Sequence, residues 1–213
     1  MSIYMTEEEQ VELIKSWWKK YSNVILVAVS IVLLTLSAIK YWTWHKENVV
    51  TQASIAYEKM MLSFANKDFK SVRSYSQDLI KDYKSTVYAD AACFALAKIA
   101  VTNEKYTNAK KFLNIVMLHS HSTLLKDISK LRIARILLEE KDYTNALAQT
   151  ESIKTKAYAS IVNELKGDIY NALGKNNIAI KYYKEAATNI TTANADNLFL
   201  DMKINKLLGS AKA

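Results

Sequence analysis

The sequence predicts an all-α protein, one membrane-spanning helix followed by an α-solenoid of helix pairs. Three observations predict it. Proline is absent from the 213 residues and glycine stands only at Gly167, Gly174 and Gly209, so the turns that sandwiches, barrels and phosphate-cradling loops need are missing. An uncharged apolar stretch lies near the amino terminus. Beyond it the apolar positions repeat with the helix period and again with a longer one. Hydrophobic residues make up 50% of the chain, enough for a core alongside an anchor.

Residues 1–20 read as a short tail and residues 21–39 as the transmembrane helix. Tyr21 to Ile39 are 19 consecutive residues without a charge. At about 1.5 Å per residue they cover roughly 28 Å, close to the ~30 Å hydrocarbon core. Trp17, Trp18 and Tyr21 precede the stretch and Tyr41, Trp42 and Trp44 follow it, forming aromatic belts at both membrane interfaces, with Lys19, Lys20 and Lys40 placed to snorkel. A buried core helix has no need of such girdles. Cleavage as a signal peptide is disfavoured because Ser37 and Ala38 run into Lys40, Tyr41 and Trp42. The lysine count is three on each side (15, 19, 20 against 40, 46, 59), so charge does not orient the helix. Residues 40–48 read as an interfacial linker.

Residues 49–213 read as the repeat domain with a closing helix. Phe69, Tyr106 and Tyr143 recur at 37-residue intervals, and Asn176 follows 33 residues on. Three residues after each stands Val72, Ala109, Ala146 or Ala179. Ahead of them the small residues Ala97, Ala134 and Gly167 share one phase. The best copy, Leu165, Gly167, Tyr170, Gly174, Ala179, Tyr183 and Ala186, resembles the tetratricopeptide repeat consensus. Small residues on both helices of a pair let the backbones approach, and large ones between them fill the next repeat's surface. Gly174 serves one turn within a pair. In the other copies Asn66 to Asp68, Asn103 to Lys105 and Lys141 to Asp142 take that role, with Asn and Asp expected to bear the left-handed conformation. The first copy, about 50 to 84, departs from the pattern, with Met60 at the small-residue position. At the other end Asn194 to Asp196 offer a cap, and Leu198, Met202, Ile204 and Leu208 are expected to form one apolar stripe.

The order of segments is narrower than a repeat class. The acidic start EEEQVELIKSWWKK, KYW followed by a histidine, ASIAYE, LRIARILLEEKDYTNAL, AYASIVNELKGDIY and the terminal MKINKL together resemble the YfgM family, over essentially the whole chain. The resemblance implies an ancillary subunit of the SecYEG translocon, with residues 1–20 a cytoplasmic tail, one span of the bacterial inner membrane and a periplasmic tetratricopeptide-like domain. It implies the lipid bilayer, SecYEG, a PpiD-type membrane-anchored chaperone and translocating proteins as partners, and hand-over of translocated chains to periplasmic chaperones. The alternative it carries is a membrane-tethered regulator of an envelope-stress signalling pathway acting through protein binding. No catalytic motif belongs to the family pattern.

The residues agree with a non-enzymatic reading. Cys93 is the only cysteine, so neither an internal disulfide nor a cysteine-based zinc cage is open to the chain. His119 and His121 are two apart and would point to different faces of a helix. Glu139, Glu140 and Glu185 lack a histidine or nucleophile at useful spacing. No cofactor, metal or catalytic residue is expected. Residues 1–45 balance four lysines against four glutamates, so the whole net charge of +8 lies downstream. Those basic residues form no run and accompany no nucleic-acid module, so nucleic acid is not an expected partner. The candidate site is a protein-binding groove. Positions three before, one after and four after the small residues fall on the neighbouring helix face. They select Phe94, Lys98 and Val101, then Leu131, Arg135 and Leu138, with Tyr57, Met61 and Phe64 from the first copy.

Overall fold

The computed structural model describes residues 7–188 and 195–210, with nine α-helices among them. These are α1 (Glu7–Ala65), α2 (Phe69–Asp82), α3 (Val87–Thr102), α4 (Tyr106–His119), α5 (Thr123–Glu139), α6 (Tyr143–Glu151), α7 (Ala159–Ala172), α8 (Asn176–Thr188) and α9 (Ala195–Ser210), with a 3-10 turn at Lys156–Tyr158. The chain divides into two units, 1–52 and 53–213.

In the first unit α1 is long and apolar enough to cross a membrane, and none of its most apolar window is buried against protein. Soluble core helices hide such residues. The hydroxyls of Ser30 and Thr35 donate to the carbonyls of Leu26 and Ile31 at 2.8 Å, so neither is an orphan in hydrocarbon. The belts form local clusters. Trp17 and Tyr21 lie 5.5 Å apart, with Lys20 Nζ 5.4 Å from the Tyr21 ring, and His45 stacks on Tyr41. Residues 40–48 continue the helix.

In the second unit residues 53–65 of α1 pair with α2, α3 with α4, α5 with α6 and α7 with α8, and α9 closes the array. The largest core cluster runs from α3 to α7. It is flanked on one side by a cluster around Met60, Val72 and Leu79. On the other, Ala179 and Tyr183 of α8 pack with Leu200, Ile204 and Leu207 of α9.

Each pair turns in the same way. Lys67, Glu104, Lys141 and Gly174 have positive φ, at 58°, 56°, 62° and 72°. The N–H of the following residue donates back to the helix, Asp68 to Ser63, Lys105 to Ala100, Asp142 to Leu137 and Lys175 to Tyr170, at 2.8 to 2.9 Å. These are Schellman closures. The expectation that Asn or Asp bears the left-handed conformation is therefore corrected: Lys67, Glu104 and Lys141 bear it. Asp68 and Asp142 instead cap α2 and α6, accepting from the backbone N–H of Ser71 and Asn145.

Across each pair the facing residues are matched in size. Gly167 faces Tyr183, and an added Cβ would collide with the ring. The same 16-residue spacing joins Met60 to Ser76 in the first pair and puts Ala97 with Leu113 and Ala134 with Thr150 at the corresponding positions, and all eight residues are buried. Ser76 donates to the Met60 sulfur at 3.1 Å. The first copy thus keeps the contact with the large residue moved to the first helix.

Buried aspartates one period apart tie the second and third pairs to the links that follow them. Asp90 accepts from Ser120 Oγ at 2.7 Å. Asp127 accepts from Thr155 Oγ1 at 2.6 Å, from the N–H groups of Thr155 and Lys154, and from Lys130 Nζ at 2.9 Å.

Helix α9 departs from the expected single stripe. Leu200, Ile204 and Leu207 face the core, whereas Leu198, Met202 and Leu208 are exposed. The physical reason is register: the buried three lie on one side of the helix and the exposed three turn away from it. The cap expected at Asn194 to Asp196 lies outside the described residues and side chains.

Candidate protein-binding surface

The first helices of the pairs carry the expected groove positions. Tyr57, Phe64, Phe94 and Leu138 are half-buried, and Met61, Lys98, Val101 and Arg135 are exposed. Leu131 is 6% exposed and belongs to the main core cluster, so it offers a partner nothing.

Aromatic rings and cations alternate along this face. Lys98 Nζ stands 5.4 Å from the Phe64 ring centroid, and the Arg132 guanidinium lies 4.4 Å from that of Phe94. Both contacts join the first helix of one pair to that of the next, in the range where a cation is attracted to a ring face. The Tyr57 and Tyr88 rings lie 5.4 Å apart, and Phe64 meets Phe69 edge-on. Burial and then the neighbouring Arg135 charge lower the Arg132 guanidinium from its ordinary value. Among the described residues Lys98, Arg132 and Arg135 enter no ion pair. The surface therefore combines apolar rings with uncompensated positive charge.

Arg132 escapes the spacing rule, standing one residue beyond Leu131. Its signal is nonetheless present in the sequence: helical side chains lean toward the amino terminus, so a residue covers the turn before its own Cα.

The face ends at the last pair. Glu164 and Asp168, which continue the positions of Leu131 and Arg135, both accept from Lys203 Nζ of α9 at 2.8 Å. Asp168 also accepts from the Tyr183 hydroxyl at 2.8 Å. Burial, followed by the Asp168 hydrogen bond, pushes the Tyr183 hydroxyl up. For Lys203 burial pulls downward, but the two carboxylates outweigh it and raise the ammonium.

Other singled-out groups take structural places. Cys93 is buried, and burial pushes its thiol up to about 12. His119 ends α4 and His121 follows in the link, both exposed. Among the described residues no cluster of three or more His, Cys, Asp or Glu side chains could hold a metal ion.

Residues 15–209 match the family described as tetratricopeptide repeat-like domain. A protein of Aggregatibacter actinomycetemcomitans named ancillary SecYEG translocon subunit is 30% identical over 89% of this chain and 92% of its own. The protein of the same name from Escherichia coli K12 is 26% identical over 97% of this chain and 99% of its own. Among solved structures, MamA from Desulfovibrio magneticus RS-1 superposes with a TM-score of 0.53 at 13% identity, over 75% of this chain and 95% of that one, a likeness of fold.

Proposed function

The chain belongs to the YfgM family of ancillary SecYEG translocon subunits, built on a tetratricopeptide repeat-like domain, and from that premise we propose a membrane-anchored scaffold that binds protein segments beside the translocon. It holds translocated chains on the first-helix face and passes them to periplasmic chaperones, together with a PpiD-type membrane-anchored chaperone. The relatives' names and the repeat fold point to a non-enzymatic role. The observation that carries the reading is the row of rings and unpaired cations, Phe64, Lys98, Phe94, Arg132 and Arg135. Such a row suits a segment with hydrophobic side chains and some negative charge.

Photocrosslinkers at Lys98 and Arg135, compared with Lys110 and Lys181 on the second helices, test it in intact cells. Stronger capture of partner chains from the first pair of positions is expected, and reversal of both charges to Glu should weaken capture while leaving folding intact. Equal or greater crosslinking from Lys110 and Lys181 would move the working surface to the other face.

A further inference from the structure

A second basic site lies between α2 and α4. Arg73 of α2, together with Lys105 and Lys111 beside and within α4, borders a cavity of about 290 Å³. Its floor is apolar, made by Leu96, Ile99 and Phe112. No carboxylate lines it, and among the described residues none of the three cations enters an ion pair. Gathered like charges repel, and an anion relieves them. Lys105 also gives α4 no side-chain cap, in contrast to Asp68 and Asp142 at α2 and α6. A second cavity of about 360 Å³, lined by Phe69, Lys70 and Ser74, shares Arg73 and Gln77 with the first and extends it along α2.

We propose that this pocket takes the carboxyl terminus of a partner polypeptide whose last side chain is apolar. The terminal carboxylate meets Arg73, Lys105 and Lys111, with Arg suited to bidentate contact. The last side chain rests on Leu96, Ile99 and Phe112, and the preceding residues lie along α2. A free inorganic anion would use neither the apolar floor nor the second cavity. The proposal rests on the reading of the protein as a protein-binding scaffold, but uses a surface separate from the first-helix face.

The test is fluorescence polarisation on the full chain in detergent, with a fluorescein-labelled hexapeptide ending in leucine, as free acid and as carboxyl-terminal amide. The free acid should bind about tenfold more tightly than the amide. Arg73→Ala and Lys111→Ala should each weaken the acid about tenfold and leave the amide unchanged. Arg73→Gln serves as a second variant, with the melting curve as the check on folding. Equal binding of acid and amide, insensitivity to both Arg73 variants, or displacement of the peptide by an equal concentration of inorganic phosphate would overturn the proposal. The Lys98→Glu and Arg135→Glu pair should leave acid preference intact, so loss of crosslinking at the first-helix face and loss of acid preference here report separate failures.

Discussion

Lys67, Glu104 and Lys141 each hold a left-handed backbone that costs an L-residue with a side chain about 1 kcal/mol relative to glycine. Replacing Lys141 by Gly should raise stability by up to about 1 kcal/mol, and Gly174→Ala should lower it by a similar amount, both read from urea midpoints. Gly167 carries a different demand. Its missing Cβ admits the Tyr183 ring, so Gly167→Ala should cost about 1–3 kcal/mol by overpacking. Tyr183→Leu in the same chain should recover part of that loss, and strict additivity of the two substitutions would show that the residues are uncoupled. The sequence marks Gly167 as small, but the size of its neighbour becomes legible only once the two helices are in register. The same holds for Met60, whose bulk looks like a defect until Ser76 is found opposite.

Between helix pairs, the links are held by acids that titrate in opposite senses. Burial pushes Asp127 up, but hydrogen bonds from Thr155 and Lys130 outweigh it and hold the carboxyl below its ordinary range. Its stabilising contribution is present above the unfolded-state value and is lost as pH falls through the folded one. Asp90 is raised, chiefly by burial, so its ionised form is penalised and its contribution becomes more favourable as pH falls. Asp127→Asn should therefore reduce the loss of stability between about pH 5 and pH 3, whereas Asp90→Asn should remove a penalty at neutral pH. Melting curves from about pH 7 down to about pH 3 check both signs. At this scale the sequence is informative about periods: the 37-residue interval, shortened to 33 before the last pair, locates the pairs because Val72, Ala109, Ala146 and Ala179 are all buried. It is less informative about α9, where apolar residues occur on both sides and composition alone does not say which side meets α8.

For the whole chain, topology is the first thing to measure. The family resemblance implies a cytoplasmic amino terminus, and on that reading alkaline phosphatase fused after Ala213 should be active, whereas an inactive fusion with a fluorescent cytoplasmic counterpart would reverse the orientation. The anchor and the repeat array are legible in sequence because each depends on runs or periods of many residues; the binding surface is less so, because packing between helix pairs decides that Leu131 is buried while Arg135 stays exposed. The matched facing residues have a consequence for how the array finds its order. Four hairpins with a shared period risk joining with the wrong neighbour during folding. Tyr183 needs a partner without a Cβ, and of Met60, Ala97, Ala134 and Gly167 only the last provides it. Met60 needs a small neighbour, which Ser76 supplies and Leu113 does not. The first and last hairpins are thereby keyed to themselves: exchanging their single helices with those of other copies would leave a void or a collision, while moving either hairpin whole would carry both halves of its key.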